Sequence, residues 1–370
     1  MRRLTLGALI FATPAACGPV APSASARRVS PPLAPTPAES AEEVDSVVDR
    51  ILPIPSANAI AVGEGSVWVA SRANDGTSGG SIFRIDSETG ELMAVIPVGT
   101  VPSWETGGGG LEVGGGSVLV VGGMEAPGGP GSSGDCCDGL LLRIDPVLNR
   151  VVQEIPLGGF HGDDVAVDET GVWVVLSTRG GAGKAELVRV DPDRGEVVSR
   201  VGLTQNYVRD VIAIDGTVSV HEHEVGGPVV RESVFTRVDP ETGRLLASVS
   251  TGFHVVSVSA GDGVIWGVAL SEADGNVLLE LDPQTGDFTT VPSGELDHLL
   301  GFGEGGIWGR GLRSTGDLGV VRFNLESGRV DEWVALPKEA GSPVALAVAS
   351  GSIWVVNYEQ GVTRIELRRE

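Results

Sequence analysis

The sequence predicts an all-β fold: a ring of seven four-stranded antiparallel blades, the last closed by the N-terminal strand. Three observations carry this expectation. First, a tight Gly/acidic turn leads into a strand carrying Trp, as in Gly63-Glu64-Gly65-Ser66-Val67-Trp68. Later copies reach Trp173, Trp266, Trp308 and Trp354, while copies two and four have Leu119 and Ser219 at that place. Second, Arg-apolar-Asp followed by a turn recurs at Arg84, Arg143, Arg189 and Arg237, then in altered form from Glu280, Arg322 and Arg364, at intervals of 42 to 59 residues. That spacing holds four short strands and suits a blade of a β-propeller. Third, the last copy offers strands A, B and C at 344–348, 353–356 and 362–367 but no strand D. Val47-Val48-Asp49-Arg50-Ile51-Leu52 has the strand-D pattern and stands before the first strand A, so it closes the ring. Closure removes the open edges that invite aggregation.

The elements follow in chain order. Arg2 and Arg3 precede an apolar run from Leu4 to Thr13, the layout of a signal peptide over residues 1–17 and too short to span a membrane. Pro14-Ala15-Ala16-Cys17 is similar to the lipobox of bacterial lipoproteins, which implies acylation at Cys17; ordinary secretion is the alternative. Residues 18–43, rich in Pro, Ala and Ser, read as a disordered tether, and 44–370 as the propeller. In the first blade, Ile60-Ala61-Val62, Val67-Trp68-Val69, Ile82–Ile85 and Leu92–Ile96 are strands A to D. Asp239-Pro240-Glu241-Thr242-Gly243 suits a C–D hairpin: Pro presets φ, Asp caps its own backbone and Gly takes φ > 0. No segment between these turns sustains a helical period.

Composition narrows the partners. The 370 residues include 55 Gly and only 8 Phe, 7 Trp and 2 Tyr, which fits many tight turns, and the net charge is −23. Such acidity speaks against nucleic acid and anionic membrane surfaces, so a membrane enters only through a lipid anchor. Three cysteines cannot make a disulfide framework. The vicinal pair Cys136-Cys137 suits a strained, loop-stiffening bridge in an oxidising compartment. The expected location is the cell envelope, anchored outside the cytoplasm, or the medium, with the chain a monomer.

Gly-x-Gly-Ser-Val-Trp-Val together with Asp-Pro-x-Thr-Gly resembles the YVTN/YncE-type propellers, within the WD40- and quinoprotein-like group, over about residues 44–370. The resemblance implies a binding or scaffold protein of the bacterial envelope, recognising a protein or small ligand. Fold does not fix activity, so the site has to be argued from residues.

The D–A and B–C connections open at one end of the ring and vary in length, and all five histidines map there. His161, His221 and His223 are candidate ligands of a divalent metal, the one cofactor considered for them: alternation puts His221 and His223 on one side of their strand, with a carboxylate from blade three to complete the set. A solvated polar loop is the plainer reading. Asn58, Asp163, Tyr207, Arg209, Asp210, His254 and His298 cluster near the starts of A strands and outline a polar pocket for a small ligand or cation at the channel mouth. Two enzyme readings stay open beside binding. One is a metal-dependent lyase or hydrolase similar to streptogramin lyases, whose recurring Trp-Phe-Thr-Glu motif is missing here. The other is a quinoprotein-like enzyme, for which only Cys136-Cys137 speaks. No catalytic residue can be named.

Overall fold

A computed structural model describes residues 41–43, 46–72, 79–99, 101–102, 110–123, 139–158, 161–177, 185–204, 207–226, 229–270, 275–303, 305–336, 341–357 and 360–367. Residues 1–40, with Cys17, and the Cys136-Cys137 pair lie outside them. The described chain is strands and turns without a helix.

Seven antiparallel sheets follow one another in sequence order. Blade 1 has strand A at Ala57–Gly63, B at Ser66–Arg72, C at Gly80–Asp86 and D at Leu92–Pro97. Blades 3 to 6 repeat the order, with A strands at His161–Asp168, Tyr207–Ile214, His254–Gly261 and Leu296–Gly303. In blade 2 the innermost position is shared by Val101–Pro102 and Leu111–Gly114, both paired with Ser117–Gly123. Each strand A packs against strand A of the next blade, and that of blade 7, Pro343–Ala349, returns to blade 1. The ring is closed.

The closing strand is where the sequence puts it. Ser46–Leu52 pairs antiparallel with Gly361–Leu367, from Ser46↔Leu367 to Leu52↔Val362. Arg364 Nη1 donates to Asp49 Oδ2 at 3.0 Å, and Arg50 Nη1 donates to the Gly90 carbonyl of blade 1 at 2.9 Å. One boundary shifts. Ala41 is buried and Glu42–Glu43 lie parallel against Glu332 and Trp333 on the outer edge of blade 6. The end of the supposed tether is therefore ordered: the Ala41 side chain finds apolar cover beside Trp333, and the backbone finds an unpaired edge.

The turns show why this sequence makes hairpins. Asp86 Oδ1 accepts from the N–H groups of Glu88 and Thr89 at 3.0 and 2.8 Å, and these bonds hold its carboxyl below the usual range. Asp145, Asp191, Asp239, Asp282 and Asn324 cap their own turns in the same way. In the A–B turns Glu64-Gly65, Asp215-Gly216, Asp262-Gly263 and Ser350-Gly351 all have positive φ, as type I′ hairpins require.

Between blades, the strand-B tryptophans Trp68, Trp173 and Trp354 fill the wedge to the next blade and lie under an arginine from strand C. Arg84, Arg189 and Arg364 stand 5.0, 5.6 and 5.5 Å from the ring centroids of Trp68, Trp173 and Trp354. Each guanidinium then reaches the following C–D turn: Arg84 the Pro146 carbonyl, Arg189 the Pro240 carbonyl at 2.8 Å, Arg364 the Glu88 carbonyl at 2.7 Å. Nearer the axis, glycines let the blades converge. A Cβ on Gly114 would stand 2.5 Å from Val167, and one on Gly261 would stand 2.3 Å from Phe302. Gly261→Ala is expected to destabilise by ~1–3 kcal/mol through overpacking, read as a lower unfolding midpoint in denaturant.

Candidate functional site

A strands start, and B strands end, at one end of the ring. The pairs His161↔Ser177, Tyr207↔His223, Asp210↔His221, His254↔Leu270 and His298↔Arg310 put all five histidines there. A β-bulge near the start of most A strands adds one residue, at Asn58, Asp163, Arg209, Val256, Asp297 and Val344. Bulges re-aim side chains next to sites. Here they set polar groups of blades 1, 3, 4 and 6 at equivalent places around the channel.

The densest network joins blades 4 and 5. His221 is fully buried; its Nδ1 meets Asp210 Oδ2 at 2.8 Å and its Nε2 meets Ser233 Oγ at 3.0 Å. Ser233 Oγ also accepts from the Val255 N–H at 3.0 Å, while His223 Nε2 donates to the Val255 carbonyl at 3.1 Å. Both backbone groups of Val255 are thus satisfied by blade 4 side chains. The ring of His223 is stacked by Tyr207 at 5.5 Å and meets the edges of His221 and His254 at 4.8 and 5.2 Å. Asp210, His221 and Ser233 stand in the order of a hydrolytic triad, but Ser233 is fully buried and its oxygen is taken by Val255, so no carbonyl substrate reaches it. This network is a seam.

His221 and His223 do share one side of their strand, at 4.8 Å, and Glu222 faces the other way, accepting from Thr236 Oγ1. The side they share faces blade 5, whereas His161 belongs to blade 3, where its Nδ1 stands 3.5 Å from Asp163 Oδ1. The candidate metal trio is therefore not gathered at one point. Among the described residues, no group of three or more His, Cys, Asp or Glu is placed to hold a metal ion.

A second connection escaped the sequence reading. Asp164 bridges three blades, accepting from the Gly110 N–H of blade 2 at 3.3 Å and the Val211 N–H of blade 4 at 2.9 Å. Burial and the nearby Asp210 carboxylate push its pKa up to about 8. Asp210 moves the other way: burial would raise it, but the hydrogen bond and charge of His221 and the charge of Arg209 hold it below the usual range. On strand A of blade 2, burial pushes Glu112 up to about 7. Arg310 clasps Asp297 with two bonds, of 2.8 and 2.9 Å. Asp297 and Arg310 flank His298 in sequence and in register, a signal visible only once the bulge is known.

Arg209 organises the electrostatics of the mouth. Burial first, and then neighbouring cations (His221 and Arg209 for His223, Arg209 for His254, Arg310 ahead of Arg209 for His298), holds these three imidazoles below the ordinary range, so they are neutral near pH 7. His223 is driven furthest, to about 3, first by desolvation and then by His221 and Arg209. Asn58 is buried on blade 1, and Asp163 keeps Oδ2 buried without a hydrogen-bond partner. The mouth therefore combines the guanidiniums of Arg209 and Arg310 with neutral imidazoles; Asp210 meets His221 and Asp297 meets Arg310. Such a set can receive an anion through charge and the N–H groups of His254 and His298, the single N–H of neutral His223 being given to Val255.

No family model and no curated protein matches the chain. Solved structures do. A chain of Kuenenia stuttgartiensis hydrazine synthase superposes with a TM-score of 0.62 at 13% identity, covering 87% of this chain and 98% of that one. A chain from a crystal structure of the mitotic checkpoint complex gives 0.61 at 11%, covering 95% and 100%. This chain is a seven-bladed β-propeller. At such identities the likeness concerns the fold of the propeller alone.

Proposed function

We propose that the propeller is an extracytoplasmic recognition protein that binds a small anionic ligand, or an acidic group on a partner, at the channel end holding the histidines. One arrangement carries this reading: the strand-A starts of three successive blades place Arg209 at a bulge beside His223, with His254 and His298 at the corresponding starts of the next two blades. Guanidiniums beside the neutral imidazoles of His254 and His298 favour a carboxylate or phosphate over the cation that the aspartates alone would suggest. The location outside the cytoplasm is supported by the signal-like Arg2-to-Cys17 stretch, and the recognition role by motifs shared with YVTN/YncE-type propellers. A closed ring with short turns at one end and variable connections at the other is a rigid frame for such a site.

The experiment is a thermal-shift series on the purified protein with acetate, citrate, phosphate and sulfate, against glucose and putrescine as neutral and cationic controls. At least one anion is expected to raise the unfolding temperature saturably, and Arg209→Gln to abolish that rise. A response to putrescine alone, or an anion effect that survives Arg209→Gln, would sink the reading.

A further inference from the structure

The outer edge of blade 6 differs from its neighbours in carrying an added segment. Pro97, Pro156 and Pro292 end the outer strands of blades 1, 2 and 5, and a proline discourages further pairing along an edge. The outer strand of blade 6, Arg329–Ala335, has no proline. Glu42 and Glu43 lie parallel to it, opposite Glu332 and Trp333, so only two of its seven residues are paired on that side.

One face of this contact is built to fit. Ala41 is buried in the same apolar cluster as Trp333. Arg313 stands over the Trp333 ring at 4.1 Å, donates from Nη2 to the Ala41 carbonyl at 3.3 Å, and meets the Glu43 carboxylate at 3.7 Å. Glu295, 3.5 Å from Arg313 Nε, helps to hold the guanidinium. Side chains alternate along an extended chain, so Ala41 and Glu43 share this face and Glu42 takes the other. The other face is mismatched. Glu42 stands in register with Glu332, and like charges placed opposite each other on neighbouring strands repel. Glu332 itself is drawn to Arg322 at 2.8 Å.

We propose that the blade 6 edge is a docking site for an extended segment of a partner polypeptide, and that residues 41–43 are its displaceable internal occupant. The two faces define the partner's chemistry: a small residue, then a neutral or basic one, then Asp or Glu. Main-chain pairing gives affinity in such edge complexes, and alternate side chains in fitted places give specificity. A strand longer than Glu42–Glu43 adds ladder bonds along the rest of Arg329–Ala335. Ser46–Leu52 keeps its place in blade 7 during the exchange, so the ring stays closed. The site is separate from the channel mouth and stands without the anion reading.

The test titrates the full chain with fluorescent peptides, read by anisotropy. One peptide has the sequence of residues 39–45, and a second differs from it only by Glu42→Lys. Two controls add Ala41→Phe or Glu43→Gln to the second. Each is measured against wild type and against the Ala41→Arg protein, whose own segment is expelled by bulk and by the charge of Arg313. The Glu42→Lys peptide is expected to bind saturably, at least ~10-fold tighter to the Ala41→Arg protein, where no tethered competitor is left. It is expected to bind ~3-fold tighter than the unaltered sequence, because attraction to Glu332 replaces repulsion. Ala41→Phe in the peptide should abolish binding, and Glu43→Gln should weaken it. No saturable binding to either protein, equal affinity for the two, or indifference to the residues at positions 42 and 43 would each overturn the proposal.

Discussion

A chain lacking residues 41–52 is expected to lose its cooperative thermal transition or melt at least ~10 °C lower. The deletion removes the whole Ser46–Leu52 ladder and the Asp49–Arg364 pair, and it uncovers the fully buried Val362 and Ile365. An unpaired strand beside exposed core is also a template for aggregation. Restoration by a peptide of residues 41–52 added in trans is expected to recover the transition and solubility. An unchanged melting curve after the deletion would mean that the strand decorates the ring instead of closing it.

The second large effect appears in acid. Folded His223 stays neutral down to about pH 3, whereas the unfolded imidazole takes a proton below ~6.5. Between those values the unfolded chain binds the extra proton, so stability falls as pH drops, by up to ~1.4 kcal/mol per pH unit and roughly 5 kcal/mol in all. Asp164 slopes the opposite way. With its folded pKa raised to about 8, the native state holds, between ~8 and ~3.9, a proton that the unfolded chain lacks, so this group adds stability as pH falls from 8 toward 4. His254 and His298, depressed in the same direction, add to the loss, so wild type is expected to lose stability as pH falls from about 6 to 4, with Asp164 offsetting part of the fall. Asp164→Asn should steepen that fall and His223→Gln should make it shallower. Urea unfolding at a series of pH values reads all three, and identical slopes in the three proteins would contradict the assignment.

The ring was legible because its signals are local and repeated. Asp-capped C–D turns, type I′ A–B turns and a Trp at one register place recur often enough to count blades, and the incomplete last copy points to Val47–Leu52. Strand alternation likewise separates His221 and His223 from Glu222. What stayed hidden depends on contacts between blades. Alternation tells that two histidines share a side, but not that the side faces Val255 of blade 5 and is used up as a seam. The bulges that shift Asp163, Arg209 and Asp297 add one residue without a sequence signature, so the bridging role of Asp164 and the pairing of Asp297 with Arg310 could not be read. The order of Ala41–Glu43 was hidden for the same reason, because their partner strand is some 290 positions away.

The recognition site at the channel mouth is tested most directly by histidine NMR. The five rings can be assigned with single substitutions in a ¹⁵N-histidine-labelled sample, and citrate or phosphate titrated in. The account predicts that the His223, His254 and His298 resonances move together and saturate, and that Arg209→Gln cancels the movement. Saturable shifts confined to His161, or no shift in any ring while the anion demonstrably binds, would place recognition elsewhere on the ring and contradict it.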